Sequence, residues 1–155
     1  HDVIRRPDFE REYGIQFTGI EALFQEADFI TINVPLLKET FHLVDEKKLR
    51  IMKKTAYLIN NARGPIVDEK ALYKALKEGW IAGAALDVFE QEPTPMQNPL
   101  LKLTNVVVAP HISSASYETR SKMAEMVAEN LTTFFEGKTP PNLANPEVTK
   151  IKKKG

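Results

Sequence analysis

Short apolar runs alternate along the chain with stretches in which apolar residues recur every three or four positions. Five runs carry β-branched and apolar residues with little in/out alternation: residues 15–17, 28–34, 55–60, 82–89 and 105–109. That pattern predicts buried strands of a sheet covered on both faces. Between them the periodicity predicts helices over 7–13, 20–27, 45–52, 68–78 and 117–136. Pro7 suits a first helical turn and Gly14 a helix end. Asp45 and Asp68 each open an Asp-Glu-Lys start. There the aspartate can accept a bond from an orphan backbone N–H, and the glutamate meets the positive end of the helix dipole. In the last helix Met123, Val127, Leu131 and Phe134 make one apolar stripe, assigned with Trp80 to packing, and Gly137 ends the helix. Residues 91–103 and those after Gly137 read as linker-like. Strand–helix alternation through short connections makes an α/β fold around a parallel sheet.

Composition narrows the classes. The 155 residues match about one domain. Without a cysteine there is no disulfide framework, no Cys-ligated zinc module and no iron–sulfur cluster. The 43% hydrophobic content is too high for a disordered chain. Twenty-one basic and 21 acidic residues cancel, so the overall charge makes no case for nucleic acid or membrane. Four of the lysines (Lys150, Lys152, Lys153, Lys154) crowd the end, which leaves 17 basic against 21 acidic residues in the body. We read the lysine end as a solvated terminus. A cytoplasmic location is the expectation, since the lack of cysteine is compatible with it.

In parallel α/β sheets ligands bind beyond the carboxyl ends of the strands, so chemistry is sought there. Arg63 follows the run 55–60, Glu92 follows 82–89, and His111 follows 105–109. Successive parallel strands bring the three toward one sheet edge. An arginine fork grips a carboxylate. A histidine gives or takes a proton near neutral pH. A carboxylate beside it fixes its tautomer and keeps the imidazolium available. Together they suit reversible reduction of a 2-oxo acid by a hydride donor. Taken singly, each has a blander role: a loop arginine in an ion pair, a solvated glutamate, a structural histidine. His42 is read as structural.

At these residues the sequence resembles the D-isomer-specific 2-hydroxyacid dehydrogenases. The segments that carry the resemblance are Asn60-Asn61-Ala62-Arg63-Gly64-Pro65-Ile66-Val67-Asp68, Ala84-Ala85-Leu86-Asp87-Val88-Phe89-Glu90-Gln91-Glu92-Pro93 and Ala109-Pro110-His111-Ile112. Within that family the chain is most similar to the glyoxylate/hydroxypyruvate reductase and phosphoglycerate dehydrogenase branches. The resemblance implies a doubly wound, Rossmann-like sheet. It implies NAD as cofactor, with NADP the alternative, and a small 2-oxo or 2-hydroxy acid as substrate. It implies no nucleic acid or membrane partner, and a homodimer for the intact protein.

Residue roles follow from the same resemblance. His111 is the acid/base, Glu92 its hydrogen-bond partner, and Arg63 the group that binds the substrate carboxylate. Asp87 takes the nicotinamide carboxamide. Asn61 and Ala62 line the nicotinamide ribose, while Pro35 and Thr40 belong to the loop beside the adenosine and phosphates. Asp2 falls where the family places its acid for the ribose hydroxyls, at the end of a strand. Ser113 and Ser114 follow the histidine beside the cofactor; Ser113 is a departure, since glycine is frequent there. Glu92 favours a 2-hydroxy acid over formate, because the related formate dehydrogenases carry glutamine at that place.

A dinucleotide fold is expected to carry Gly-x-Gly-x-x-Gly after its first strand. The seven glycines stand at 14, 19, 64, 79, 83, 137 and 155, and no two are separated by a single residue. The expectation is therefore a domain truncated on its N-terminal side, without the first strand, loop and helix. Residues 1–137 would be this partial dinucleotide-binding domain, and 138–155 a tail returning to a substrate domain. Such a chain alone is expected to be inactive. Two other classes compete with this one: an NAD-dependent binding module of the same fold with a transcriptional role, and an unrelated doubly wound domain of response-regulator type. The three ordered motifs speak against the second.

Overall fold

The structure, a computed structural model, describes residues 1–150, with side chains as far as Val148. Most of the lysine-rich end lies outside the described residues. The chain divides into two compact units, His1–Ile112 and Ser113 onward.

The first unit runs α1 (Pro7–Tyr13), α2 (Ile20–Glu26), β1 (Phe29–Ile32), α3 (Glu46–Ile51), β2 (Tyr57–Asn60), α4 (Glu69–Lys77), β3 (Gly83–Leu86) and β4 (Val106–Val108). The four strands form one parallel sheet in the order β1-β2-β3-β4. Helix ends fall where local chemistry puts them. Gly14 closes α1 in the left-handed region at φ 63°. The Asp45 side chain accepts the Lys48 N–H at 2.9 Å, and Asp68 accepts the Lys70 and Ala71 N–H groups, both at 3.0 Å.

Strand register sorts the side chains into two rows. Ile30, Leu58 and Ala84 align in one row, as do Ile32, Asn60 and Leu86 two residues on. These face a core completed by Phe24 of α2, Leu49 of α3, and Leu72, Ala75 and Leu76 of α4. Leu49, Leu58 and Leu72 are fully buried, so truncating any of them to alanine would cost roughly 2–5 kcal/mol. The opposite row carries Phe29, Tyr57 and Val107, which are 70%, 44% and 72% exposed. The expected cover on both faces is thus seen on one face only within this unit. The strands lack polar alternation because this second row is itself apolar, with Phe29 stacked on Tyr57 at 5.4 Å between ring centroids.

Three further expectations are corrected here. Residues 15–17 form no strand, although Ile15 and Phe17 are suitable residues. A strand needs a ladder partner, and among the described residues none lies beside them. Asp2 likewise ends no strand among the described residues: it stands exposed just before a bend at Val3 and Ile4, where its Oδ1 accepts the Ile4 N–H at 3.1 Å. Residues 91–103 are no linker either. Asn98 caps the 3₁₀ turn Pro99–Lys102, and Leu100 within it is 1% exposed.

The second unit holds α5 (Tyr117–Phe135) and a 3₁₀ turn at Pro146–Lys150. The Ser116 hydroxyl accepts the Thr119 N–H, and Gly137 ends the helix at φ 74°. The stripe Met123, Val127, Leu131 and Phe134 is exposed, contrary to its assignment to packing. A lone helix offers no second surface within its own unit on which to bury a stripe. Among the described residues, no helix is long and apolar enough to cross a membrane.

Candidate active site

Because all four strands are parallel, residues just beyond Asn60, Leu86 and Val108 sit along one edge of the sheet. His111 reaches this edge through an unusual turn. Its backbone adopts φ 56°, a left-handed conformation that is uncommon for a residue with a side chain. Asp87 holds that turn twice. Its carbonyl accepts the His111 N–H at 2.8 Å, and its carboxylate Oδ1 accepts the Ile112 N–H at 2.8 Å. Asp87 itself is 8% exposed and is anchored to β2 by its N–H, which donates to the Asn60 carbonyl at 2.9 Å.

The imidazole meets Glu92, with Nδ1 2.8 Å from Oε2. The other carboxylate oxygen, Oε1, accepts the Phe89 N–H at 3.0 Å. Burial raises the Glu92 carboxyl. The His111 hydrogen bond, the Phe89 amide and the His111 charge outweigh burial and the repulsion from Asp87, so the group titrates below its ordinary value. An ionised carboxylate can only accept, so Nδ1 carries the proton of this bond and Nε2 is left outside it. The pair borders a cleft of about 640 Å³ lined also by Asp87, Thr94, Met96, Leu101 and Pro110. The Glu92–Pro93 peptide is cis.

Arg63 comes from the β2 turn and lines a second cleft, of about 490 Å³, with Asn33, Val34, Pro35, Asn61 and Ala62. Its Nη1 donates to the Ala62 carbonyl at 2.6 Å. The buried Asn60 builds the turn: its amide donates to the Arg63 carbonyl at 3.0 Å, and its Oδ1 accepts the Ala62 N–H at 3.1 Å. Thr40 folds the preceding loop by donating to the Pro35 carbonyl at 2.6 Å and accepting the Leu37 N–H at 2.7 Å. The structure thus joins His111 to Glu92 and groups Arg63 with Pro35, Asn61 and Ala62. Asp2 lines neither cleft. Ser113 and Ser114 are exposed at the start of the second unit.

Sequence reasoning passed over Asn60, Gly64 and the pair His42–Glu90. Asn60 carries a readable signal, an Asx residue ending a strand. A Cβ on Gly64 would fall 1.9 Å from the Phe89 carbonyl carbon and oxygen, so the β2 and β3 loops are in backbone contact there. Nothing local in the sequence announces that contact.

The chemistry of the second cleft's wall fits part of a dinucleotide. Val34, Pro35 and Ala62 offer apolar surface for a planar ring, and Asn33, Asn61 and Arg63 offer polar groups for ribose and phosphate. Among the described residues no cluster of three His, Asp or Glu could hold a metal ion.

A four-stranded parallel sheet with flanking helices and chemistry at its carboxyl edge defines a Rossmann-like α/β nucleotide-binding domain. The chain belongs to the D-isomer specific 2-hydroxyacid dehydrogenase family, matching the model of its NAD binding domain over residues 1–113. A glyoxylate reductase of Korarchaeum cryptofilum is 61% identical over 155 residues, covering 100% of this chain and 47% of the relative. The NAD-complexed D-isomer specific 2-hydroxyacid dehydrogenase of Lactobacillus delbrueckii ssp. bulgaricus superposes with a TM-score of 0.86 at 34% identity, over 93% of this chain and 47% of that one. The NADPH-dependent glyoxylate/hydroxypyruvate reductase of Sinorhizobium meliloti, solved with NADP and malonate, gives 0.68 at 40% identity, over 74% and 36%. The chain spans about half the length of the curated relatives it matches.

Proposed function

We propose that this chain carries the cofactor-binding and proton-transfer half of an enzyme that reduces a small 2-oxo acid of the glyoxylate or hydroxypyruvate type to the corresponding 2-hydroxy acid. One observation carries the reading: His111 and Glu92, from the ends of adjacent strands, meet at 2.8 Å beside a cleft on the edge where Arg63 also stands. The reduced nicotinamide supplies the hydride when bound. Arg63 grips the substrate carboxylate and draws the adjacent carbonyl into line. His111 donates its Nε2 proton to the carbonyl oxygen as that oxygen gains charge. Glu92, held ionised, keeps Nδ1 protonated and steadies the imidazolium. Asp87 receives the carboxamide, Asn61 and Ala62 the ribose, and Pro35 and Thr40 shape the loop beside the rest of the cofactor.

NAD is preferred over NADP in this reading. In that reading Asp2 takes the ribose hydroxyls and repels a 2′-phosphate, while Arg5 is already held by Glu10 through two contacts of 2.8 Å. The test replaces the matching half of the Korarchaeum cryptofilum glyoxylate reductase with this chain. The hybrid should oxidise NADH on addition of glyoxylate, with NADPH the poorer donor. A folded hybrid without turnover contradicts the functional reading, and a strong NADPH preference contradicts the choice of cofactor.

A further inference from the structure

His42, expected from the sequence to be structural, touches the loops that follow both β2 and β3. It lies in the β1 loop, two residues after Thr40, with a left-handed backbone at φ 49°. Its N–H donates to the Pro65 carbonyl at 2.8 Å, so it clasps the turn that carries Arg63. Its ring Nε2 reaches 3.1 Å from Glu90 Oε1, in the loop that carries Glu92. The ring is fixed from behind by stacking on Phe41, with centroids 4.1 Å apart, and Nδ1 stands 4.0 Å from Asp68 at the start of α4.

Glu90 is the hub on the far side. Its Oε1 also accepts the Glu69 N–H at 3.0 Å, and its own N–H donates back to the Glu69 carboxylate at 2.5 Å. Asn98 completes the chain by donating to Glu69 at 2.8 Å. Glu90 lies between Phe89, whose amide binds Glu92, and Glu92 itself. Moving Glu90 therefore moves both ends of the contact that keeps Glu92 aligned with His111.

We infer that His42 is a positioning residue: by bridging the Pro65 carbonyl and the Glu90 carboxylate it sets the Arg63 turn and the Glu92 loop at a fixed separation. This rests on the proposed function, since it concerns the same site, but its test needs neither cofactor nor turnover. A shared hydrogen-bonded chain of this kind is rigid only while each link holds.

The experiment follows the 155-residue chain by NMR, reading the Glu92 carboxyl titration and the hydrogen exchange of the Phe89 amide. His42→Asn keeps a residue type that tolerates the left-handed backbone and removes the reach to Glu90. It should move the Glu92 midpoint upward and speed Phe89 exchange about tenfold, while the core amides of Leu58 and Leu72 keep their rates. Glu90→Ala should act in the same direction, and the double variant should fall short of the sum of the two. Unchanged Glu92 titration and Phe89 exchange overturn the inference. So does acceleration shared equally by Leu58 and Leu72, which marks a general loss of stability, and so does strict additivity. An inactive hybrid enzyme contradicts the functional reading alone and leaves this outcome standing.

Discussion

Gly64 and Phe89 are packed backbone to backbone: a Cβ at position 64 would lie 1.9 Å from the Phe89 carbonyl. Hydrogen at that position is what lets the Arg63 turn and the Glu92 loop close on each other. Gly64→Ala must push the two loops apart and should cost about 1–3 kcal/mol in urea denaturation. The same variant should weaken the Phe89–Glu92 contact, read as faster exchange of the Phe89 amide.

Asp87 should prove essential to the His111 turn before any cofactor is present. Asp87→Ala removes the acceptor of the Ile112 N–H and leaves that donor without its carboxylate. The loss should be about 1–3 kcal/mol, with Ile112 exchange accelerated. Asp87→Asn retains an oxygen at the same place and should recover most of the protection. Ile112 exchange in the alanine variant as slow as in the parent would show that the carboxylate does not hold the turn.

The Glu92 carboxyl sets a pH signature. Its folded value is lowered from the ordinary 4.5, so the stability it contributes is fully present above that ordinary value and is lost as pH falls through the lowered folded one. The gap in stability between the parent and Glu92→Gln should thus shrink in acid. Denaturation curves between neutral pH and about pH 3 measure it; a gap that widens in acid would mean the carboxyl is raised on folding.

The chain contains no Gly-x-Gly-x-x-Gly, the backbone cradle that seats a pyrophosphate at a helix N-terminus. Calorimetric titration of the 155 residues with NADH should give a dissociation constant weaker than about 1 μM. Tighter binding would mean that the Pro35–Arg63 cleft alone supplies the affinity.

What could be read in the sequence divides along local and non-local lines. Asp45, Asp68 and Gly14 mark helix ends because a cap acts within four residues of itself, and those ends lie where expected. Arg63, Glu92 and His111 could be set on one edge because parallel topology turns three sequence positions into three neighbours. Residues 15–17 failed as a strand because pairing depends on a distant partner. The second sheet row and the α5 stripe were misjudged because apolar residues signal a need for cover without saying what provides it. His42–Glu90 and Gly64–Phe89 link residues 48 and 25 apart, and no periodicity encodes such meetings.

The central claim is that His111 delivers the proton in reduction of a 2-oxo acid. The most direct measurement is kcat/KM for glyoxylate in the hybrid enzyme carrying His111→Ala, with NADH affinity measured alongside. We expect a fall of about 10²–10⁴-fold in kcat/KM with NADH binding retained. Activity within about twofold of the parent hybrid, far short of what loss of a general acid removes, would contradict the account.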